Sequence, residues 1–286
     1  MQGVRLELYR DNLQGALHMV EAAHATFPDP RYRAEAARIR SWLSHLSTRQ
    51  GYAAAYERYY RGVKRRFGLK LIEREVRTLI GRKSRNMVRR CAELPEFQLL
   101  EREVLAHAAR RVLDAGCGEG RMALTLGARH PDIAVEGIEV SPTNARIARR
   151  LNRFSNITFH EGLIEEADHC FPPDSFDLAY SLGVLEHVWD VDETITAILK
   201  LLRPGGRLCL AVPMNEFRAA GPLPEFTPQD TACHVRVFTE ADLRQRFGGY
   251  DHFVLQKCPG QWRPGRYPDP VVPVEFGSYF AAFSKA

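Results

Sequence analysis

The chain has 286 residues, 45% hydrophobic and 26% charged, with a formal net charge of +5, the composition of a folded globular protein rather than a disordered or fibrous one. It contains no run of about 18 apolar residues, which excludes a membrane-spanning helix, and its start, "MQGVRLELYRDN", has no basic-then-apolar export signal, so the expected location is cytoplasmic. Cys91, Cys117, Cys170, Cys209, Cys233 and Cys258 are scattered without a CxxC pair, which argues against a disulfide framework or a structural zinc site.

Residues 1 to about 47 read as helices, with apolar residues at helical spacing interrupted by Pro28-Asp29-Pro30. One hairpin of this kind is too little for a solenoid, and packing or dimerisation is its expected use. From Arg49 to Arg90 the chain is strongly basic, with 14 Lys/Arg against Glu57, Glu73 and Glu75, so the remainder sums to −6. Tyr52, Tyr56, Tyr59, Tyr60 and Phe67 are interleaved with these cations, and Leu69, Ile72, Val76 and Leu79 form one apolar stripe. Residues 1–95 are accordingly read as an N-terminal helical region and 96–286 as a second domain.

That second domain opens on a helix, "FQLLEREVLAHAA", and then alternates short apolar strands with helices: "RRVLDAG", "AVEGIEV", "ITFHEG", "FDLAYSLGV", "RLCLAVP". Two terminal strands, "HFVLQKCP" and "FGSYFAAFSKA", bring the expected count to seven in a doubly wound α/β sheet. Ser141 with Pro142 marks one helix start, and Thr239 with Asp242 another. Met214 to Val235 is too proline-rich for core.

The chemistry concentrates in "VLDAGCGEG". Glycines at 116, 118 and 120 give GxGxG, not the GxGxxG of a dinucleotide site. Such a loop permits a tight strand-to-helix turn and close approach of a ligand to the backbone. Asp114, two residues earlier, would repel a pyrophosphate and attract a cation. Glu139 ends the next strand, where a carboxylate can accept both hydroxyls of a ribose. In open α/β sheets ligands bind beyond the strands' carboxyl ends, so "HEGLIEE" and "YSLGVLEH" would flank the rest of the ligand.

Together, "VLDAGCGEG", "VEGIEVSP", "ITFHEG…PPDSFDLAYSLGVLEHV" and "LLRPGGRLCLAVP" resemble a class I S-adenosylmethionine-dependent methyltransferase, with the motifs in family order from about Glu96 to Ala286. The resemblance implies a Rossmann-like sheet of seven strands with the last antiparallel, and S-adenosyl-L-methionine as cofactor. It implies that Asp114, Gly116, Cys117 and Gly118 hold the methionine portion, and Glu139, followed by Val140, the ribose. Gly162, Leu163 and Ile164 would bracket the adenine, with Ser181 and Leu182 beside the sulfonium. Leu163 departs from the aspartate common in relatives, so Glu165, a backbone carbonyl or water would have to accept from the adenine amino group.

Methyl transfer needs positioning and sometimes proton removal. Glu186 and His187 in "LEHVWD", and His234 beyond the proline-rich stretch, are the catalytic candidates, with His187 as base or orienter. The competing reading is that His187 packs beside its helix. Relatives that hold a divalent ion here place a glutamate where this chain has Gly183, so no metal is expected. No Asn/Asp-Pro-Pro-aromatic follows the fourth strand, and no cysteine stands in a Pro-Cys context, which disfavours amino-methylation of adenine and C5-methylation of cytosine.

The expected reaction is methylation of an oxygen or nitrogen of a small-molecule acceptor. For residues 49–90 the options are a lid or homodimer contact, an RNA-docking surface of an RNA methyltransferase, or contact with anionic lipid. A non-catalytic adenosyl-binding scaffold and a hydride-transferring dehydrogenase are the remaining alternatives.

Overall fold

The computed structural model describes residues 13–45, 57, 83–188, 190–214, 238–259 and 277–286. Two helices, α1 (Leu13–Thr26) and α2 (Pro30–His45), pack against each other and are tied by Arg40 to Glu21 at 2.5 Å. The expected turn at Pro28-Asp29-Pro30 separates them, with the Asp29 carboxylate accepting from the Arg31 N–H at 2.8 Å. The apolar stripe Leu69–Leu79, the interleaved tyrosines and His234 lie outside the described residues.

Helices α3 (Lys83–Ala92) and α4 (Pro95–Ala106) lead into β1 (Arg111–Ala115), α5 (Arg121–Arg129), β2 (Ala134–Glu139), α6 (Pro142–Leu151) and β3 (Ile157–Glu161). A 3₁₀ helix (Ile164–His169), β4 (Phe176–Leu182), α7 (Val191–Leu201) and β5 (Leu202–Pro213) follow. The described chain ends with α8 (Glu240–Phe247), β6 (Asp251–Pro259) and β7 (Gly277–Ser284).

The seven strands form one sheet in the order β3-β2-β1-β4-β5-β7-β6. β1 to β5 pair in parallel, and β7 runs antiparallel between β5 and β6. This is the doubly wound, Rossmann-like sheet that the alternation predicts. Because helices cover both faces, the central strands bury both sets of alternating side chains. Leu208, Leu210 and Val212 of β5 join one core with Ile195 and Ile198 of α7. Cys209 and Ala211 join the other with Phe97 and Leu100 of α4 and Leu124 of α5. Parallel sheets require such two-sided cover, and it explains why these strands read as continuous apolar runs.

The start signals hold. Ser141 caps α6, its Oγ accepting from Asn144 N at 3.2 Å, and Thr239 with Asp242 forms a reciprocal capping box on α8. One boundary differs. "LLRPGG" reads as a helix end and a turn before the strand, but Leu202 already pairs with Phe176. The Pro-Gly-Gly segment is an irregularity inside the pairing, after which Arg207 meets Leu178. Pairing resumes beyond Gly205, at φ +72°, so the strand absorbs the turn rather than following it.

The order reverses between β1, which is followed by β2, and β4 on its other side. The carboxyl ends of these two strands open a crevice at this switch point, where ligands bind in sheets of this kind.

Candidate functional site

The site begins where β1 runs into the glycine loop. The N–H groups of Gly116 and Cys117 both donate to Ile138 O, at 2.9 and 3.0 Å, which folds the loop back against β2. Gly116 takes φ +85°, and a Cβ there would stand 2.6 Å from Val184. Gly118 takes φ +55°, but nothing lies within 4 Å of where its Cβ would be. The first glycine is therefore required by its neighbours and the second faces open space. Gly118→Ala is expected to cost about 1 kcal/mol of stability through its backbone angle alone. It should weaken ligand binding in the crevice at least tenfold, whereas Gly116→Ala should chiefly lower the melting temperature. Calorimetric titration beside thermal unfolding separates the two.

Two buried carboxylates stand beside this loop. Glu139, 3% exposed, accepts from the Gly118 N–H at Oε2 and from the Ser141 N–H at Oε1, both at 2.9 Å. Its side chain is thus fixed by main-chain donors from the two loops that meet at the crevice. Asp114 is 4% exposed, and its Oδ2 has no hydrogen-bond partner. Burial pushes its carboxyl up to about 7, and the negative Glu139 pushes in the same direction. The neighbouring Tyr180 hydroxyl and the Ala123 N–H pull it back. Tyr180 sits opposite Asp114 in the β1–β4 register, wholly buried, and its hydroxyl too lacks hydrogen-bond geometry to any partner.

Two buried acids with an unsatisfied oxygen suit a cationic ligand and would repel a phosphate. Open space at Gly118 and a carboxylate anchored at the end of β2 suit a ribose lying along the strand tips. The residues therefore fit a positively charged nucleoside.

The other expected contacts are less uniform. Val140 is half-buried directly after Glu139, and Gly162 donates its N–H to Glu139 O at 3.0 Å, so the β2 and β3 tips are joined. Leu163 is half-buried at the head of the 3₁₀ helix. Ile164 is 7% exposed and packs in the core with Ile138, turned toward the sheet interior. Glu165 receives the Thr194 hydroxyl of α7 at 2.5 Å, so its carboxylate is engaged as a tie between helices. Ser181 is fully buried and its Oγ donates to Ala115 O at 2.9 Å, which fastens β4 to the end of β1. Leu182 is half-buried one residue further along. The Cys117 thiol faces Gly137 and Phe159, and burial pushes it well above the ordinary thiol range. That environment makes it a packing group, not a nucleophile.

At the end of β4, Gly183 at φ +71° turns the chain so that Glu186 and His187 follow in a short turn. Glu186 is 2% exposed, and its Oε2 has no hydrogen-bond partner. Burial pushes its carboxyl up to about 8, so at neutral pH it carries a proton. His187 Nε2 lies 3.8 Å from Glu186 Oε1. Among the described residues no cluster of His, Cys, Asp and Glu is arranged to hold a metal ion.

Two residues at this site gave no signal in the sequence. Tyr180 reads there as strand core, and only the register puts it opposite Asp114. Glu57 lies in the basic segment, yet it is 9% exposed and its carboxylate accepts from Ser141 Oγ and Thr143 Oγ1.

A family model described as "Methyltransferase domain" matches residues 52–257. Among curated proteins, the chain is 35% identical over 159 residues to trans-aconitate 2-methyltransferase of Methylobacterium nodulans, covering 56% of this chain and 59% of that one. It is 36% identical over 102 residues to demethylmenaquinone methyltransferase of Tropheryma whipplei, 35% of this chain and 41% of that one. It is 32% identical over 107 residues to an S-adenosyl-L-methionine-dependent Diels-Alderase of Talaromyces variabilis, 36% of each. The chain spans less than two thirds of the length of each of these relatives.

Proposed function

We propose that this chain, which belongs to the methyltransferase-domain family, transfers a methyl group from S-adenosyl-L-methionine to an oxygen or nitrogen of a small-molecule acceptor. The observation that carries the reading is the pair of buried carboxylates, Asp114 and Glu139, at the ends of adjacent strands around an open Gly118. When bound, the cofactor would supply a methyl group already activated on a sulfonium. Asp114 would bind the cationic methionine end and Glu139 the ribose hydroxyls.

The acceptor's chemistry falls to the β4 tip. Glu186 holds its proton at neutral pH and can donate it in a hydrogen bond to an acceptor oxygen. His187 can take the proton that an O–H or N–H nucleophile must lose. A protonated His187 beside Glu186 would in turn favour the glutamate's ionised form, since opposite charges at that spacing stabilise each other. His234 keeps its place as a further candidate base by sequence alone. Relatives named as trans-aconitate 2-methyltransferase and demethylmenaquinone methyltransferase support a small-molecule acceptor.

The direct test is incubation of the purified protein with methyl-labelled S-adenosylmethionine and an extract of its source. Label is expected in the low-mass or organic fraction. Label in an RNase-sensitive fraction would overturn the small-molecule reading. Tight binding of S-adenosylhomocysteine with no labelled product in any fraction would overturn the enzyme reading itself.

A further inference from the structure

We propose that Glu57 is a positioning residue for the ribose end of this adenosyl site, acting through Ser141 on Glu139; the proposal rests on the reading just given. Glu57 is a carboxylate in the most basic stretch of the chain, yet its side chain reaches two hydroxyls far away in sequence. Oε1 accepts from Thr143 Oγ1 at 2.5 Å, and Oε2 accepts from Ser141 Oγ. These hydroxyls belong to the cap and second residue of α6, a helix whose own first turn contains no acidic residue. A helix N-terminus favours negative charge, so Glu57 supplies from 84 positions earlier what the local sequence omits.

Capping alone does not account for it. Ser141 already caps α6 by accepting from Asn144 N. What Glu57 adds comes from Ser141 being shared. Its Oγ is held by Glu57 while its N–H donates to Glu139 Oε1, and Glu139 Oε2 is held by the Gly118 N–H. A single line of hydrogen bonds thus runs from Glu57 through Ser141 and Glu139 to the floor of the glycine cradle. Fixing the Ser141 side chain fixes the loop whose N–H sets the Glu139 carboxylate. Glu57 therefore acts on ribose recognition without touching the ribose.

Titration calorimetry with two ligands, S-adenosylhomocysteine and its 2′,3′-dideoxyribose counterpart, tests this. Glu57→Ala is expected to weaken S-adenosylhomocysteine about tenfold and the dideoxy ligand less than twofold, with Glu57→Gln between. In a Glu139→Ala background, Glu57→Ala should have no further effect, the sign of coupled residues. Equal weakening of both ligands, or none, would overturn the positioning role and leave Glu57 a structural cap. If Glu57→Ala does not fold, Thr143→Val decides, since it removes one hydroxyl and should show the same ligand selectivity at smaller size. Failure of the unaltered protein to bind S-adenosylhomocysteine would instead overturn the adenosyl reading and the proposal with it.

Discussion

Glu186→Gln is expected to raise the melting temperature at pH 8 while lowering turnover about a hundredfold. The carboxyl's ordinary value is 4.5 and burial in the native state pushes it up to about 8. Between those values the native protein binds a proton that the unfolded chain has released, so stability falls as pH rises through this window. The slope is about 1.4 kcal/mol per pH unit, which accumulates to roughly 4 kcal/mol by pH 8. Glutamine is neutral throughout and nearly isosteric, but its buried amide retains a burial cost of its own. The net gain at pH 8 is then about 2 kcal/mol, or roughly 5 °C for a domain of this size. At pH 5 the two proteins should melt within about 1 kcal/mol of each other, because Glu186 is protonated in the native state and increasingly so in the unfolded one. The loss of turnover follows from replacing the carboxylic O–H that donates to the acceptor oxygen by an amide of different donor geometry, and the loss of one positioned donor sets the scale. Thermal melts across pH 5 to 8, with the labelled-methyl assay beside them, check both halves. Equal melting temperatures at pH 8 would mean that Glu186 is not held neutral by burial.

A side chain that destabilises the fold it sits in is hard to explain as packing, and the same holds for Asp114. This bears on what the sequence could disclose. The helical spacing, the Ser141-Pro142 start and the Thr239–Asp242 box are local signals, and local hydrogen bonds satisfy the two helix starts in the structure. The glycine loop with Asp114 and Glu139 was legible for a similar reason, since backbone angle and spacing along β1 and β2 are written in consecutive residues. What escaped depends on register and on distant pairing. Thr194 of α7 engages Glu165 from 29 positions away. The Ser181 hydroxyl donates to Ala115 O across the β1–β4 seam. Ile164 differs from its neighbour Leu163 by which side of a 3₁₀ turn faces the core. Glu57 carries no local mark at all, because its partners lie across the fold. Side chains whose partners are distant can be placed only once the sheet order is known.

Asp114 ties these strands together in a titration that needs no acceptor. Without ligand its carboxyl stands at about 7, so at pH 5.5 the site is mostly neutral and at pH 8 mostly ionised. A cation bound beside it requires the ionised form, so binding must release a proton whenever the pH lies below 7. The affinity for S-adenosylmethionine is therefore expected to fall as pH drops through 7, by about twentyfold between pH 7.5 and 5.5. Asp114→Asn should bind about thirtyfold more weakly at pH 8, the scale of a buried hydrogen bond to a charged group. Its affinity should not vary with pH, so the two curves converge at low pH where aspartic acid and asparagine are both neutral. Tyr180 supplies the internal control. Its hydroxyl lowers the Asp114 value, so Tyr180→Phe should move the inflection of the affinity curve to higher pH while leaving the plateau above it nearly unchanged. Titration calorimetry in buffers of different ionisation enthalpy counts the released proton directly. An affinity that stays level from pH 5.5 to 8 would mean that no cation meets Asp114, and the buried oxygen on β1 would need another occupant.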